Sequence, residues 1–216
     1  MKGPIRSAGK FVLRRLGLHS AVALRRNGAL RDDGWFRSFD ERRPVDAAGK
    51  PLPWLTYPAI ELLSRRLRPE MTVFEFGSGW GTLWWASRVR SVIACEHDVE
   101  WYRTMSARIP GNVTLLQIDL SYDGDYCRAA TKFAEPFDIV VVDGRDRVHC
   151  AMQSVAALKK SGVLLWDNSD RDRYQEGIHS LLDQGFRQLE LIGLVPGSAA
   201  KVETSIFYRE GNCLGL

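Results

Sequence analysis

The sequence predicts an α/β protein: a doubly wound, mostly parallel sheet of seven strands whose terminal strand runs antiparallel. Three observations lead there. From Met71 onward, short apolar runs alternate with stretches at helical spacing, as in a sheet built by crossover helices. Five of these runs end in an acid: Glu75, Glu96, Asp119, Asp143 and Asp167. The first run opens directly into a turn with glycine at 77, 79 and 81. In open α/β sheets ligands bind outside the carboxyl ends of the strands, so a single crevice would collect all five acids.

Residues 1–50 read as a basic, helical N-terminal extension and linker, and residues 51–216 as the α/β domain. Ile5, Ala8, Val12 and Leu16 fall at helical spacing in a segment that is rich in Lys and Arg. Residues 32–55, with Asp, Arg, Gly and Pro, form the connection. A helix over 56–67 is marked by Thr56 and Pro58 at its start. Strand 73–76 precedes the glycine turn, and a helix over 82–90 follows it. Strand 91–95 ends at Glu96, strand 113–118 at Asp119-Leu120, strand 137–142 at Asp143-Gly144-Arg145, and strand 162–166 at Asp167-Asn168. Runs 186–192 and 203–209, joined through Pro196-Gly197, read as an antiparallel pair.

The residues beside the glycines select the ligand. A dinucleotide fingerprint requires G-x-G-x-x-G, and here the third small position is Thr82. Glu75 also puts a carboxylate at the strand mouth, where it would repel a phosphate and suit a cation. An NAD-dependent oxidoreductase is therefore disfavoured. Glu96 lies twenty-one residues beyond Glu75, where a doubly wound fold places an acid on a ribose diol.

The run Glu75-Phe-Gly-Ser-Gly resembles the first motif of class I S-adenosylmethionine (SAM) methyltransferases, whose sheet is Rossmann-like. The resemblance extends through Thr82-Leu-Trp-Trp-Ala, Glu96-His-Asp with Glu100-Trp-Tyr, Val142-Asp-Gly-Arg with Arg147 and Cys150, Asp167-Asn-Ser-Asp-Arg with Tyr174, and Thr204-Ser-Ile-Phe. These runs look like a group of bacterial class I methyltransferases, distantly similar to plant glucuronoxylan O-methyltransferases. The resemblance implies SAM as cofactor, held by Glu75, Gly77, Ser78, Gly79, Gly81, Glu96 and His97, with Asp119 and Leu120 beside the adenine. It nominates an oxygen of a small-molecule or saccharide acceptor.

Methyl transfer requires an in-line approach and a way to remove the acceptor's proton. In one route Mg²⁺ binds Asp143, Asp167 and Asn168, whose hard oxygens suit it, and lowers the pKa of a coordinated hydroxyl. This resembles catechol-type O-methyltransferases, except that their lysine after the first Asp is absent. In the other route no metal binds, and Asp143 or His149 takes the proton. Arg145, Arg147 or Arg171 then grips an anionic group such as a uronate or phosphate. Surface ion pairs with Asp143, Asp146, Asp170 and Asp172 would also account for these arginines. Trp54 and Tyr57 are candidates to cover the cleft. Of Trp84 and Trp85, one is expected in the core and the other at the edge of the site.

Charge is unevenly placed. Residues 1–31 contain eight Lys or Arg and no acid, so the segment carries +8 and the remainder −4. A net-acidic domain without an Asn/Asp-Pro-Pro-aromatic motif after its fourth strand argues against nucleic acid as partner. The basic segment suits peripheral contact with the inner membrane surface or packing on its own domain, and it is also similar to a mitochondrial presequence. No apolar run is long enough to span a bilayer, and none follows Lys2 as a signal peptide's core would. Cys95, Cys127, Cys150 and Cys213 show no C-x-x-C spacing, which fits a reducing, cytoplasmic setting. No feature specifies an oligomeric state. The reading from another class is a SAM-binding protein without transfer activity that docks on a membrane or a glycan-assembly partner.

Overall fold

The computed structural model describes residue 11 and residues 13–216. The sheet has seven strands: β1 (Thr72–Phe76), β2 (Ser91–Glu96), β3 (Val113–Gln117), β4 (Phe137–Val142), β5 (Leu158–Asp167), β6 (Arg187–Val195) and β7 (Ser198–Tyr208). Their spatial order is β3-β2-β1-β4-β5-β7-β6. The pairs among β1 to β5 are parallel, and β7 runs antiparallel to both β5 and β6. The antiparallel hairpin thus exists as expected, with its second strand inserted beside β5 and its first strand at the edge. Strands β5, β6 and β7 exceed their apolar runs: β5 begins at Leu158, before Lys159-Lys160-Ser161, and the β6–β7 hairpin continues to Val195 and Ser198.

β1 and β4 are buried along their whole lengths, as strands covered on both faces must be. One face packs Phe74, Phe76, Val140, Val142, Leu164, Trp166 and Phe207 under the helices after β4 and β5. The other packs Val73, Ile139, Val141, Leu165 and Ile206 against Leu63, Trp84 and Trp85. Both tryptophans are therefore core residues, at 1% and 0% exposure, and neither edges the site. All four cysteines are buried free thiols.

The N-terminal region contains α1 (His19–Arg26), α2 (Ala29–Asp32) and α3 (Trp35–Glu41). No residue of α1 is buried. Ile5, Ala8 and Val12 of the basic amphipathic pattern lie outside the described residues, and Leu16 is 64% exposed. Among the described residues no helix is long and apolar enough to cross a membrane.

Residues 34–55 pack on the domain. The Trp35 indole donates to the Ser198 carbonyl at 2.9 Å, and the buried Ser38 hydroxyl exchanges two hydrogen bonds with the Val45 backbone. Helix α4 (Tyr57–Arg66) follows, with Pro58 in its first turn. The Thr56 hydroxyl does not cap the helix. It donates to the Leu191 carbonyl at 2.8 Å, and the Thr56 amide donates to Thr204 Oγ1 at 3.1 Å, tying the helix start to the β6–β7 hairpin.

Candidate active site

Strand order reverses between β1 and β4, and the register aligns Phe76 with Cys95 on one side and with Val142 on the other. At such a switch point the two connections leave in opposite directions and open a crevice. A cavity of about 560 Å³ lies there, lined by Glu75, the 77–81 loop, Glu96, His97 and Asp143, with Trp101 on its wall and Arg42, Pro44, Trp54 and Trp80 at its mouth.

Its floor is bare backbone. Gly77 has φ +89°, in the region that a Cβ disfavours. A Cβ on Gly77 would lie 3.2 Å from Gly144 Cα, and one on Gly144 would lie 2.9 Å from Gly77 N and still closer to the Tyr126 hydroxyl. The loops after β1 and β4 therefore touch, and both positions must be glycine.

Glu75 is buried beneath the loop. A Cβ at Gly81 would meet its Oε1 at 2.8 Å, so Gly81 leaves the room that the carboxyl occupies. Thr82, in helix α5 (Trp80–Ala86), donates to Glu75 Oε2 at 2.5 Å and accepts from the Gly79 amide at 2.9 Å. Glu75 thus holds the glycine loop through Thr82. This bond also explains why the helix begins at Trp80 and not at Thr82: the Thr82 hydroxyl caps the first turn from its third position. Desolvation pushes the Glu75 carboxyl up to about 8. Thr82→Val, which keeps the shape but removes both hydrogen bonds inside a buried site, is expected to cost about 1–3 kcal/mol in urea unfolding.

Glu96 is 4% exposed and closes the β2 end. Its Oε2 accepts from the Ser78 amide and hydroxyl at 3.1 and 3.0 Å, and its Oε1 from the amides of His97 and Asp98 at 2.8 and 3.0 Å. All of these donors belong to the protein, and only the Ser78 hydroxyl can rotate away to leave room for a ligand hydroxyl. The Trp101 indole, at the start of α6 (Val99–Ser106), donates to the Ser78 carbonyl at 2.7 Å and forms a flat wall over Gly79.

Asp143, Asp167 and Asn168 do converge, but Arg147 lies among them. In α7 (Arg147–Ser154), its side chain is 10% exposed. The guanidinium donates to Asp143 Oδ1 at 2.9 Å and to the carbonyls of Asp143, Gly144 and Asp167. It lies 3.6 Å from Asp167 Oδ2 and 3.5 Å from Asn168 Oδ1. Asp167 is further held by the Thr204 hydroxyl at 3.1 Å. Burial raises the carboxyls of Asp143 and Asp167 above the usual carboxylate range, while Arg147 opposes the shift in both. The proposed Mg²⁺ set does not fit: a fixed cation already satisfies these oxygens, and no group of three acid, His or Cys side chains suited to a metal occurs among the described residues.

His149 and Arg145 reach a second cavity, of about 360 Å³, which meets the first at Gly144, Arg145 and Arg147. His149 Nδ1 lies 2.6 Å from Asp146 Oδ1. Asp146 is a buried residue with φ +48°, and its Oδ2 accepts from the Asp123 amide at 2.8 Å. Asp is one of the few residues at ease in that backbone region.

Glu75, Gly77, Ser78, Gly79, Gly81, Glu96, His97, Asp143 and Arg145 are thus assembled around one cleft. Asp119 and Leu120 are not among its lining residues, because β3 stops at Gln117. The exposed Asp119 accepts from Gln117 Nε2 at 2.7 Å, and Leu120 packs against the core. Trp54 stands at the cleft mouth, whereas Tyr57 faces a separate surface pocket. Arg42 and Arg173 are cavity residues that the sequence does not single out, and Trp101 falls within the Glu100-Trp-Tyr run without a role assigned to it. For Trp101 the available signal was its place three residues past the helix cap at Asp98.

No family model and no curated protein sequence matches the chain. Solved structures do. The chain is similar to a precorrin-8w decarboxylase from Methanobacterium thermoautotrophicum, at 20% identity and TM-score 0.53 over 78% of this chain and 97% of that one. It is similar to a methyltransferase-like protein from Silicibacter pomeroyi, at 20% identity and TM-score 0.51 over 74% and 90%. It is also similar to a precorrin-6y C5,15-methyltransferase from Geobacter metallireducens, at 16% identity and TM-score 0.51 over 70% and 88%. The chain thus shares the mostly parallel, Rossmann-like sheet of these solved structures.

Proposed function

We propose that the protein is a SAM-dependent methyltransferase that acts on an oxygen of an acidic small-molecule or saccharide acceptor. The observation that carries this reading is the crevice at the β1/β4 switch point, where a buried acid lies under the glycine loop, a second acid closes β2, and a basic cavity opens alongside. The donor set fits the cofactor: Glu75 suits its ammonium group, Glu96 its ribose diol, and Trp101 offers a flat wall for a ring. When bound, SAM supplies an electrophilic methyl on a sulfonium.

The chain's own residues then orient the acceptor and remove its proton. Asp143 is held in place by the Arg147 guanidinium, which occupies its Oδ1. It serves to position the acceptor hydroxyl. His149 has one ring nitrogen on Asp146 and the other left to take the acceptor's proton. Fixing Nδ1–H on a carboxylate selects the tautomer whose Nε2 is basic.

Calorimetry with S-adenosylhomocysteine tests the cofactor assignment, with micromolar binding expected, about −8 kcal/mol. Absence of binding would overturn it. The titration also has an expected pH dependence. Burial pushes the free Glu75 carboxyl up to about 8, so pairing with the ligand's ammonium expels a proton, and affinity is expected to rise from about pH 6 to about pH 8 and then level off. Folding stability moves the other way. A carboxyl whose folded pKa is raised contributes most when protonated, and that contribution is lost as pH rises through about 8. A pH-independent affinity would remove Glu75 from the ammonium site.

A further inference from the structure

We propose that the second cavity is an oxyanion subsite in which Arg145, Arg171 and Arg173 hold the carboxylate or phosphate of a hydroxylated acceptor; this rests on the methyl-transfer reading. Four arginines line it, against two acids, Asp146 and Glu176. Ion pairing on the surface is the usual fate of such arginines, and here it accounts only for Arg147, which is taken up by Asp143 and Asp167. Asp146 is occupied by His149 and the Asp123 amide.

Among the described residues, Arg145, Arg171 and Arg173 form no ion pair. Arg171 donates to the neutral Asn168 Oδ1 at 2.5 Å, and Arg173 lies over the Tyr174 ring at 4.9 Å with a bond to its hydroxyl. These contacts set the directions of two guanidinium groups without neutralising them. Planar guanidinium forks that keep unused donors match the two oxygens of a carboxylate or phosphate. The cavity, about 360 Å³, has the scale of a single sugar-sized group, and it meets the cofactor cleft at Gly144, Arg145 and Arg147. An acceptor anchored there by its charge would present a neighbouring hydroxyl between His149 and Asp143.

The test is titration of the full-length protein, saturated with S-adenosylhomocysteine, with glucuronate, glucose 6-phosphate and glucose, followed by NMR or calorimetry. Saturable binding of at least one of the two anions, but not of glucose, is expected. Arg171→Ala combined with Arg173→Ala should weaken that binding roughly tenfold or more, and the Lys pair should restore part of it. Tighter binding of glucuronate or of the phosphate would tell which acid the acceptor carries. S-adenosylhomocysteine affinity, measured on every variant, should not change, which checks folding separately. If neither anion binds, or if the double variant binds as tightly as the wild type, the subsite is refuted. A protein that binds the anions but not S-adenosylhomocysteine would refute the methyltransferase reading and leave the anion site standing.

Discussion

Arg147→Met is expected to lower the stability of the protein by about 3–5 kcal/mol in urea unfolding, the scale for removing one partner of a buried ion pair. The Arg147 side chain is 10% exposed and gathers the half-buried Asp143 and the buried Asp167, so its loss leaves two carboxyls facing each other with no cation between them. Methionine fills much of the same volume, which separates the charge effect from a packing defect. Both acids already titrate above the usual carboxylate range through burial, and removing Arg147 would push them higher. The sign follows from linkage: the folded variant holds protons that the unfolded chain releases. Its deficit should therefore be largest at high pH and shrink as pH falls and the two carboxyls become neutral. A deficit that does not vary with pH would show that Arg147 acts by packing and carbonyl contacts alone.

Glu96→Ala is expected to weaken S-adenosylhomocysteine binding by about 1–3 kcal/mol, roughly five- to 150-fold, as measured by calorimetry. Two causes add. The ribose loses its acceptor, and the Ser78, His97 and Asp98 amides lose the carboxylate that pins the loop after β1 to the end of β2. Glu96→Gln separates them. It keeps one acceptor oxygen but turns an NH₂ group toward backbone donors, so it should disturb the loop while still offering a hydrogen bond to the diol. Equal losses in both variants would assign the effect to the loop, whereas a clearly smaller loss in Gln would assign it to the ligand. Unchanged affinity in Ala would remove Glu96 from the cofactor site.

The sheet and the acids that line the cleft were legible because periodicity and position carry them. A buried parallel strand shows as an unbroken apolar run, and the residue after it necessarily emerges at the ligand-binding edge. Glu75, Glu96 and Asp143 follow from that alone. Asp119 does not, because β3 ends two residues earlier, and strand ends are where apolar patterning is weakest. The metal expectation failed for a related reason. Asp143, Asp167 and Asn168 are brought together as their positions imply, but an arginine at an i, i+4 spacing from Asp143 reads equally well as a solvated surface pair. Only the packing of α7 against β5 turns Arg147 inward. The arginine cavity was visible as residue types, while the absence of ion pairs for Arg145, Arg171 and Arg173 could be learned only from their surroundings.

The contact of Gly77 with Gly144 bears on how such a protein can be retargeted. Because the base of the cleft is made of main chain that leaves no room for a Cβ, neither position can be varied to reshape the pocket, by selection or by an engineer. Ligand preference must therefore drift through the rim and the side chamber, where Arg42, Trp54, Arg171 and Arg173 can change without disturbing the floor.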